Sequence, residues 1–426
     1  MKNHYGKTKK AVLHFGMLLA LLGALSLSGC GDSDPGASGS EPGASGQNAA
    51  NSPRPNSGSN KDTKDKSLDG IFEYTLMEDG KTVLLTKYIG DAAQVTVYGS
   101  YKIGGKEYKT LLRDGVEDSW KTSPFRDNTT ITSLTFQDGV KCNNCSNYFS
   151  YCTNLETVDF SGLDTSECTD FSGMFVECRA LKAVDLSTLN TDKLTQLYSM
   201  FNGCKSLTEL DFSTVDTSRV NSFDSLFNEC ESLQKLNLKG MNTSNATYFG
   251  SMFDGCSSLA SIDVSGFITS NVDAMPAMFR GCESLASIDV SNFDTSKVVG
   301  MGSMFAGCKS LTSIDLSNFD TSSVQEMPNM FDGCENLTTI KFDNFDTLHV
   351  RSMASMFKDC HSLQQLDISH FTTKLSLNYT YDMFKNCSAL TAVYVNKDFY
   401  DFVYSEKVKR NHDMFKNCPI TDFTVK

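Results

Sequence analysis

Histidine, basic charge and outward aromatic residues are all in short supply in this chain, and each shortage removes a class of function. Six histidines are scattered through 426 residues, with neither an H-E-x-x-H pair nor a Gly-rich phosphate loop beside them, so metallohydrolase and nucleotide chemistry lack their usual apparatus. Ser, Asp and Thr recur so often that any triad drawn from them would exist several times over. No catalytic residue is assigned, and the chain is read as a non-enzyme. Lys and Arg number 38 against 51 Asp and Glu, a formal charge of −13, which argues against nucleic acid because phosphate binding needs a basic face. Aromatic residues on the outward side of the strand segments, which sugar stacking would favour, are few, so a plant or bacterial polysaccharide is the less favoured ligand.

What the chain has in excess is repetition. The segment Leu311 to Leu337 reads LTSIDLSNFDTSSVQEMPNMFDGCENL, and most of the molecule is a copy of it. Cys152, Cys178, Cys204, Cys230, Cys256, Cys282, Cys308, Cys334 and Cys360 each follow a Phe by three residues and fall at intervals of 26, with looser copies ending at Cys387 and Cys418. A fixed period of this size marks a stacked repeat array, in which each unit touches only its neighbours and cannot bury its own core.

Three stretches precede the array. Residues 1–29 carry Lys2, Lys7, Lys9 and Lys10, then the apolar run Ala11 to Leu27 interrupted by His14, then small residues. This is the order of an export signal, and the run is short for a membrane span of about 20 residues. Leu27-Ser28-Gly29-Cys30 resembles the lipobox of bacterial lipoproteins, which implies that Cys30 carries the lipid and becomes the new N-terminus. Residues 30–67 are rich in Gly, Ser, Pro, Asn, Asp and Lys, with too little to bury to offset their ordering entropy, and read as a disordered tether. Residues 68–127 mix Tyr74, Val83, Leu84, Tyr88, Val95, Val97, Tyr101 and Tyr108 with Asp79-Gly80 and Gly104-Gly105, and hold the only Trp, Trp120. Strand runs broken by hairpin dipeptides predict a small β-rich cap, or alternatively a separate ligand-binding module.

Within one coil, Leu311, Ile314 and Leu316 predict a short strand with Asp315 outward. Val324, Met327, Phe331 and Cys334 recur at three or four, which predicts a short helix starting near Pro328 and stopping at Gly333. Each coil is thus expected to be strand, turn, one or two helical turns, and return. Columns can then be compared inside the one chain. Phe holds one column in eleven copies, from Phe149 to Phe415, and is expected to form a continuous spine. Thr holds another from Thr165 to Thr373, expected to serve a turn or cap hydrogen bond at the strand exit. The cysteine column is expected to be buried free thiols, out of bridging reach if helices about 8–10 Å apart separate them. Cys142-x-x-Cys145 and Cys168 stand outside that column. The pair reads as a disulfide or half of a zinc site, although zinc takes four ligands and no second pair stands at suitable spacing. No metal or cofactor is assigned.

LSNFDTSxVxxMxxMFxGCxSL resembles the BspA-like leucine-rich repeat surface proteins, also described as mycoplasma-type surface lipoprotein repeats, over about Ile131 to Val425. The resemblance implies an α/β, leucine-rich-repeat-like curved solenoid of about 11–12 coils on a bacterial surface, with one short strand and one short helix per coil, occupying residues 128–426. It also implies adhesion or host-protein binding. No C-terminal wall-sorting signal is seen, so anchoring would rest on Cys30.

The residues expected to carry binding are an outward acidic column on the strands: Asp159, Asp185, Asp211, Asp263, Asp289, Asp315 and Asp367, with Asn237 and Lys341 standing in the same column. Neighbouring strands lie about 4.7–4.9 Å apart, and like charges placed opposite are destabilising. A ladder with such a cost points to a basic ligand or a cation, unless local hydroxyls such as Ser291 and Ser317 hold each carboxylate. The function expected is that of a lipid-anchored, surface-exposed binding or adhesion module toward a host-matrix or other cell-surface protein. The alternative is a structural spacer or coat element with no specific ligand.

Overall fold

The computed structural model describes residues 68–113, 123–372, 379–405 and 413–426. The export signal, Cys30 and the tether lie outside these residues, as do Trp120 and Thr373. The described residues belong to one compact unit.

The N-terminal part is built from two hairpins. Strand β1 (Phe72–Leu76) pairs antiparallel with β2 (Thr82–Tyr88), and β4 (Ser100–Ile103) pairs antiparallel with β5 (Lys106–Leu111). The second turn needs Gly104 and Gly105, whose φ of 59° and 83° lie where a side chain is disfavoured. Strand β3 (Gln94–Tyr98) runs parallel to β6 (Ser133–Gln137), and β6 to β8 (Thr157–Asp159). Strand β5 likewise runs parallel to β7 (Val140–Lys141), and β7 to β9 (Leu163–Asp164). The hairpins therefore share their sheets and their core with the first coils of the array.

The array is a β-solenoid of about 12 turns. Short parallel strands pair β10 (Glu209–Asp211) with β11 (Lys235–Asn237) and β12 (Ser313–Asp315) with β13 (Thr339–Lys341). Towards the C-terminus, β14 (Gln365–Asp367), β15 (Ala392–Val395) and β16 (Thr424–Val425) form one sheet. The expected helix in every coil is not there. Among the described residues the only helix is α1 (Lys397–Val403), capped by Asn396.

The Phe segment is instead a chain of tight turns. Around Phe305, the amides of Met304, Ala306 and Cys308 bond to carbonyls three residues back, while those of Ser303, Phe305 and Gly307 cross to Pro328, Met330 and Asp332 of the next coil at 2.7–3.0 Å. Every second amide is thus taken by a neighbour, and Ser303 and Gly307 sit at φ of 58° and 72°. An α-helix would turn those amides back into their own coil and leave the cross-coil bonds unmade. Apolar spacing of three and four arises here because successive turns, like helical turns, return one side chain in three or four to the same face.

The aromatic spine is present as expected. Successive rings from Phe149 to Phe415 stack at centroid separations of 5.3–6.0 Å and interplanar angles of 4–18°. Phe125 extends it toward the N-terminal hairpins, 5.8 Å from Phe149. The column thiols are free and buried, except Cys418, which is half-buried. What keeps them in place is not helix spacing. Each Sγ–H donates to the carbonyl of the spine Phe one coil earlier, as Cys308 to Phe279 and Cys334 to Phe305 at 3.2 and 3.1 Å. Burial pushes the thiols from Cys152 to Cys360 up, Cys152 to about 12, so they stay protonated donors. The Thr column also works between coils rather than within a turn: the Thr269 hydroxyl accepts from the Asp294 amide and donates to the Asp294 carbonyl, at 2.7 and 3.0 Å.

Candidate binding face

The strand face carries the acidic column, and all seven predicted carboxylates are exposed on it. Each has the same local task. At the strand exit, Oδ1 of Asp159, Asp185, Asp211, Asp263, Asp289, Asp315 and Asp367 accepts the amide of the residue two places on, always a serine, at 2.9–3.0 Å. Such a turn ends the strand by satisfying one backbone donor with a side chain. Asn237 makes the same turn to Lys239 at 3.1 Å, so the turn does not require a charge.

The column is less uniformly negative than its sequence suggests. Asn237 donates across to Asp211 at 3.0 Å, Lys341 reaches Asp315 at 2.7 Å, and Lys426 reaches Asp367 at 2.6 Å. Among the described residues, no ion pair reaches Asp159, Asp185, Asp211, Asp263 or Asp289. These five hold the uncompensated charge of the column.

Hydrogen bonds from the serines hold the Asp185, Asp211, Asp263 and Asp289 carboxyls below the usual carboxylate range. For Asp315, Lys341 is the larger cause. At Asp367 burial works upward, but Lys426 and Ser369 outweigh it and bring the group down to about 2. A carboxyl with a depressed value binds fewer protons folded than unfolded, so its contribution is complete above about pH 4 and disappears as the pH falls through the folded value. Burial raises Asp224 and Asp332, which work in the opposite sense but are fewer. From these carboxyls the urea midpoint is therefore expected to fall steadily below about pH 4. A midpoint that stays level to pH 2 would contradict the turn-capping role of the column.

The face is not a continuous ladder. Residues 183–185 and 261–263 run alongside the β10–β11 pair without joining it. Between Thr157 and Asp263 this leaves a shallow concavity of about 880 Å³. Half-buried Val184, Leu236 and Ile262 form its floor, and Asp185, Glu209, Asp211 and Asp263 line it, with Lys235 paired to Glu209 at 3.6 Å. The sequence pattern placed these carboxylates outward, but the lapse in strand pairing that opens the floor leaves no mark in a repeat whose copies read alike.

A second cluster was not foreseen. Cys142, Cys145 and Cys168 converge in the core beside Arg113, all four buried. The signal was available, since Cys142 and Cys168 are themselves 26 residues apart, in the column that later holds Val220, Val272 and Val324.

Among the described residues no helix is long and apolar enough to cross a membrane. No match to the chain is found among curated proteins. Solved structures similar to it include a leucine-rich cell surface protein from Faecalibacterium prausnitzii, at 19% identity over 84% of this chain and 94% of that one, TM-score 0.45. A leucine-rich repeat protein from Bacteroides ovatus matches at 19% identity over 82% of this chain and 99% of that one, TM-score 0.44. One from T. pallidum matches at 19% over 46% and 91%, TM-score 0.33. The family model described as "Mycoplasma protein of unknown function, DUF285" matches residues 143–262, 249–340 and 312–424. Those stretches span well over half of the 426 residues, and they are the same coils that carry the Phe spine, so the chain belongs to the DUF285 family.

Proposed function

We propose that this chain is a lipid-anchored bacterial surface protein that binds a basic segment of a partner protein on the strand face of its solenoid. The observation that carries the reading is the concavity between Thr157 and Asp263, where an apolar floor is ringed by carboxylates and holds one already paired lysine. A segment presenting apolar side chains flanked by Lys or Arg complements both features, and the formal charge of −13 attracts it from a distance. Anchoring through Cys30 rests on the lipobox-like sequence alone, since that residue lies outside the described part.

The test is binding of the chain from Leu68 onward to a panel of matrix proteins, basic peptides and polysaccharides, repeated with Asp185→Asn, Asp211→Asn and Asp263→Asn together. Asn237 shows that asparagine keeps the strand-end turn, so the triple variant removes charge without removing structure. At roughly 0.5 kcal/mol for each exposed charge contact, affinity for a basic protein should drop about tenfold, with a weaker salt dependence. Unchanged affinity would end the proposal. Binding to glycans that ignores the substitutions would favour a polysaccharide ligand. Failure of the whole panel would favour the spacer, a reading supported by the fact that every carboxylate of the column is already engaged in its own turn.

A further inference from the structure

The first two coils depart from the rest in one place. In later coils the core positions equivalent to Cys142, Cys145 and Cys168 hold aliphatic or aromatic side chains, such as Val298 and Met301. Here they hold three thiols. Their Sγ atoms all lie within 4.8 Å of one another, with Cys145 at 3.4 Å from both Cys142 and Cys168. A tetrahedral zinc ion with Zn–S bonds of about 2.3 Å separates its sulfurs by about 3.8 Å, so each separation needs to change by no more than about 1 Å.

A second observation points the same way. Arg113, at 1% exposure, is a cation sealed in the core with no carboxylate pairing it among the described residues. Its Nη1 donates to the side-chain oxygen of Asn144 and to the carbonyl of Ser146, but Nε and Nη2 have no partner, and neither has the buried hydroxyl of Tyr148. A buried, half-satisfied guanidinium is costly unless an anion stands beside it. Three neutral thiols supply none. Three thiolates around a divalent ion carry one net negative charge, which one guanidinium offsets.

We propose that Cys142, Cys145 and Cys168 bind one divalent thiophilic ion, zinc being the natural candidate, as three thiolates with a water as the fourth ligand, and with Arg113 as the positioning residue that balances the charge. Binding releases three protons, one from each thiol, and involves no redox change. Soft thiolates select such ions over the oxygen-seeking ones. The ion ties the end of β5, which carries Arg113 just beyond it, to the first two coils and so fastens the cap to the array.

The experiment uses the full chain, reduced, loaded with zinc and desalted, with metal measured by mass spectrometry. One equivalent per chain is expected. Replacement by cadmium should produce thiolate-to-metal charge-transfer absorption that saturates at one equivalent, a reading that depends on no variant folding. Cys142→Ser, Cys145→Ser and Cys168→Ser should each release the metal, while Cys256→Ala, in the ordinary column, should retain it. Arg113→Gln should weaken retention by about 10- to 100-fold, as loss of an outer-shell partner does. The proposal is overturned if the wild-type chain desalts free of zinc and cadmium, if it holds copper(I) but releases zinc, if the serine variants retain metal as well as Cys256→Ala does, or if the purified chain carries a disulfide among the three cysteines.

Discussion

Replacing Phe305 with alanine is expected to destabilise the solenoid by about 3–5 kcal/mol, the range for deleting a fully buried ring. Its place in the spine puts it at the upper end. The ring stacks on Phe279 and on Phe331, each at 5.7 Å, and each such pair adds about 0.5–1.5 kcal/mol beyond burial. Because an array is stable mainly through the contacts between coils, a gap in the middle should also split one urea transition into two, as the coils on either side unfold separately. Phe415→Ala is the comparison, since that ring is half-buried at the end of the stack. It should cost clearly less and leave a single transition. Equal costs at the two positions would mean that the rings are independent fillers and not a coupled column.

The second large effect is expected from a change that barely alters volume. Thr269→Val keeps the shape of a residue only 2% exposed, but removes the hydroxyl that both accepts from and donates to the backbone of Asp294. An amide and a carbonyl are left unpaired between two coils, at about 1–3 kcal/mol each, so a loss of about 2–6 kcal/mol is expected in urea unfolding. Thr269→Ser keeps both bonds and gives up one methyl, about 0.8 kcal/mol. Serine should therefore be the milder substitution. Valine proving milder than serine would mean that packing, not bonding across coils, explains why threonine holds this column.

How far the sequence could be read follows from what a period reports. It shows which positions are equivalent, and equivalence plus apolarity was enough to place the Phe rings, the column thiols and the outward carboxylates. It does not show which partner takes each backbone group. Met301, Met304, Phe305 and Cys308 share one face in a helix and in a row of tight turns alike, and the choice is made by Pro328, Met330 and Asp332 of the next coil, which accept amides that a helix would have kept. Small or polar residues at the positive-φ site two places before Phe, such as Ser251, Ala277 and Ser303, were the trace of that choice. The same limit hid the work of the Thr and Cys columns, whose bonds run between copies. At the strand face the carboxylates were found, yet their partners were only half foreseen: the serines were, though as hydroxyls and not as the amides that all seven carboxylates accept, and Lys426 over Asp367 was not, because that contact joins residues 59 apart in the chain.

Each kind of bond between coils keeps one direction along the stack. Turn-segment amides point toward the following coil, thiols point toward the preceding one, and so the two ends of the stack are chemically unlike. Two bare stacks meeting head to tail would continue the same bonds, and each meeting would leave another open end of the same kind. Without the hairpins at one end and the α1 segment with β16 at the other, the natural product of this architecture is a fibre.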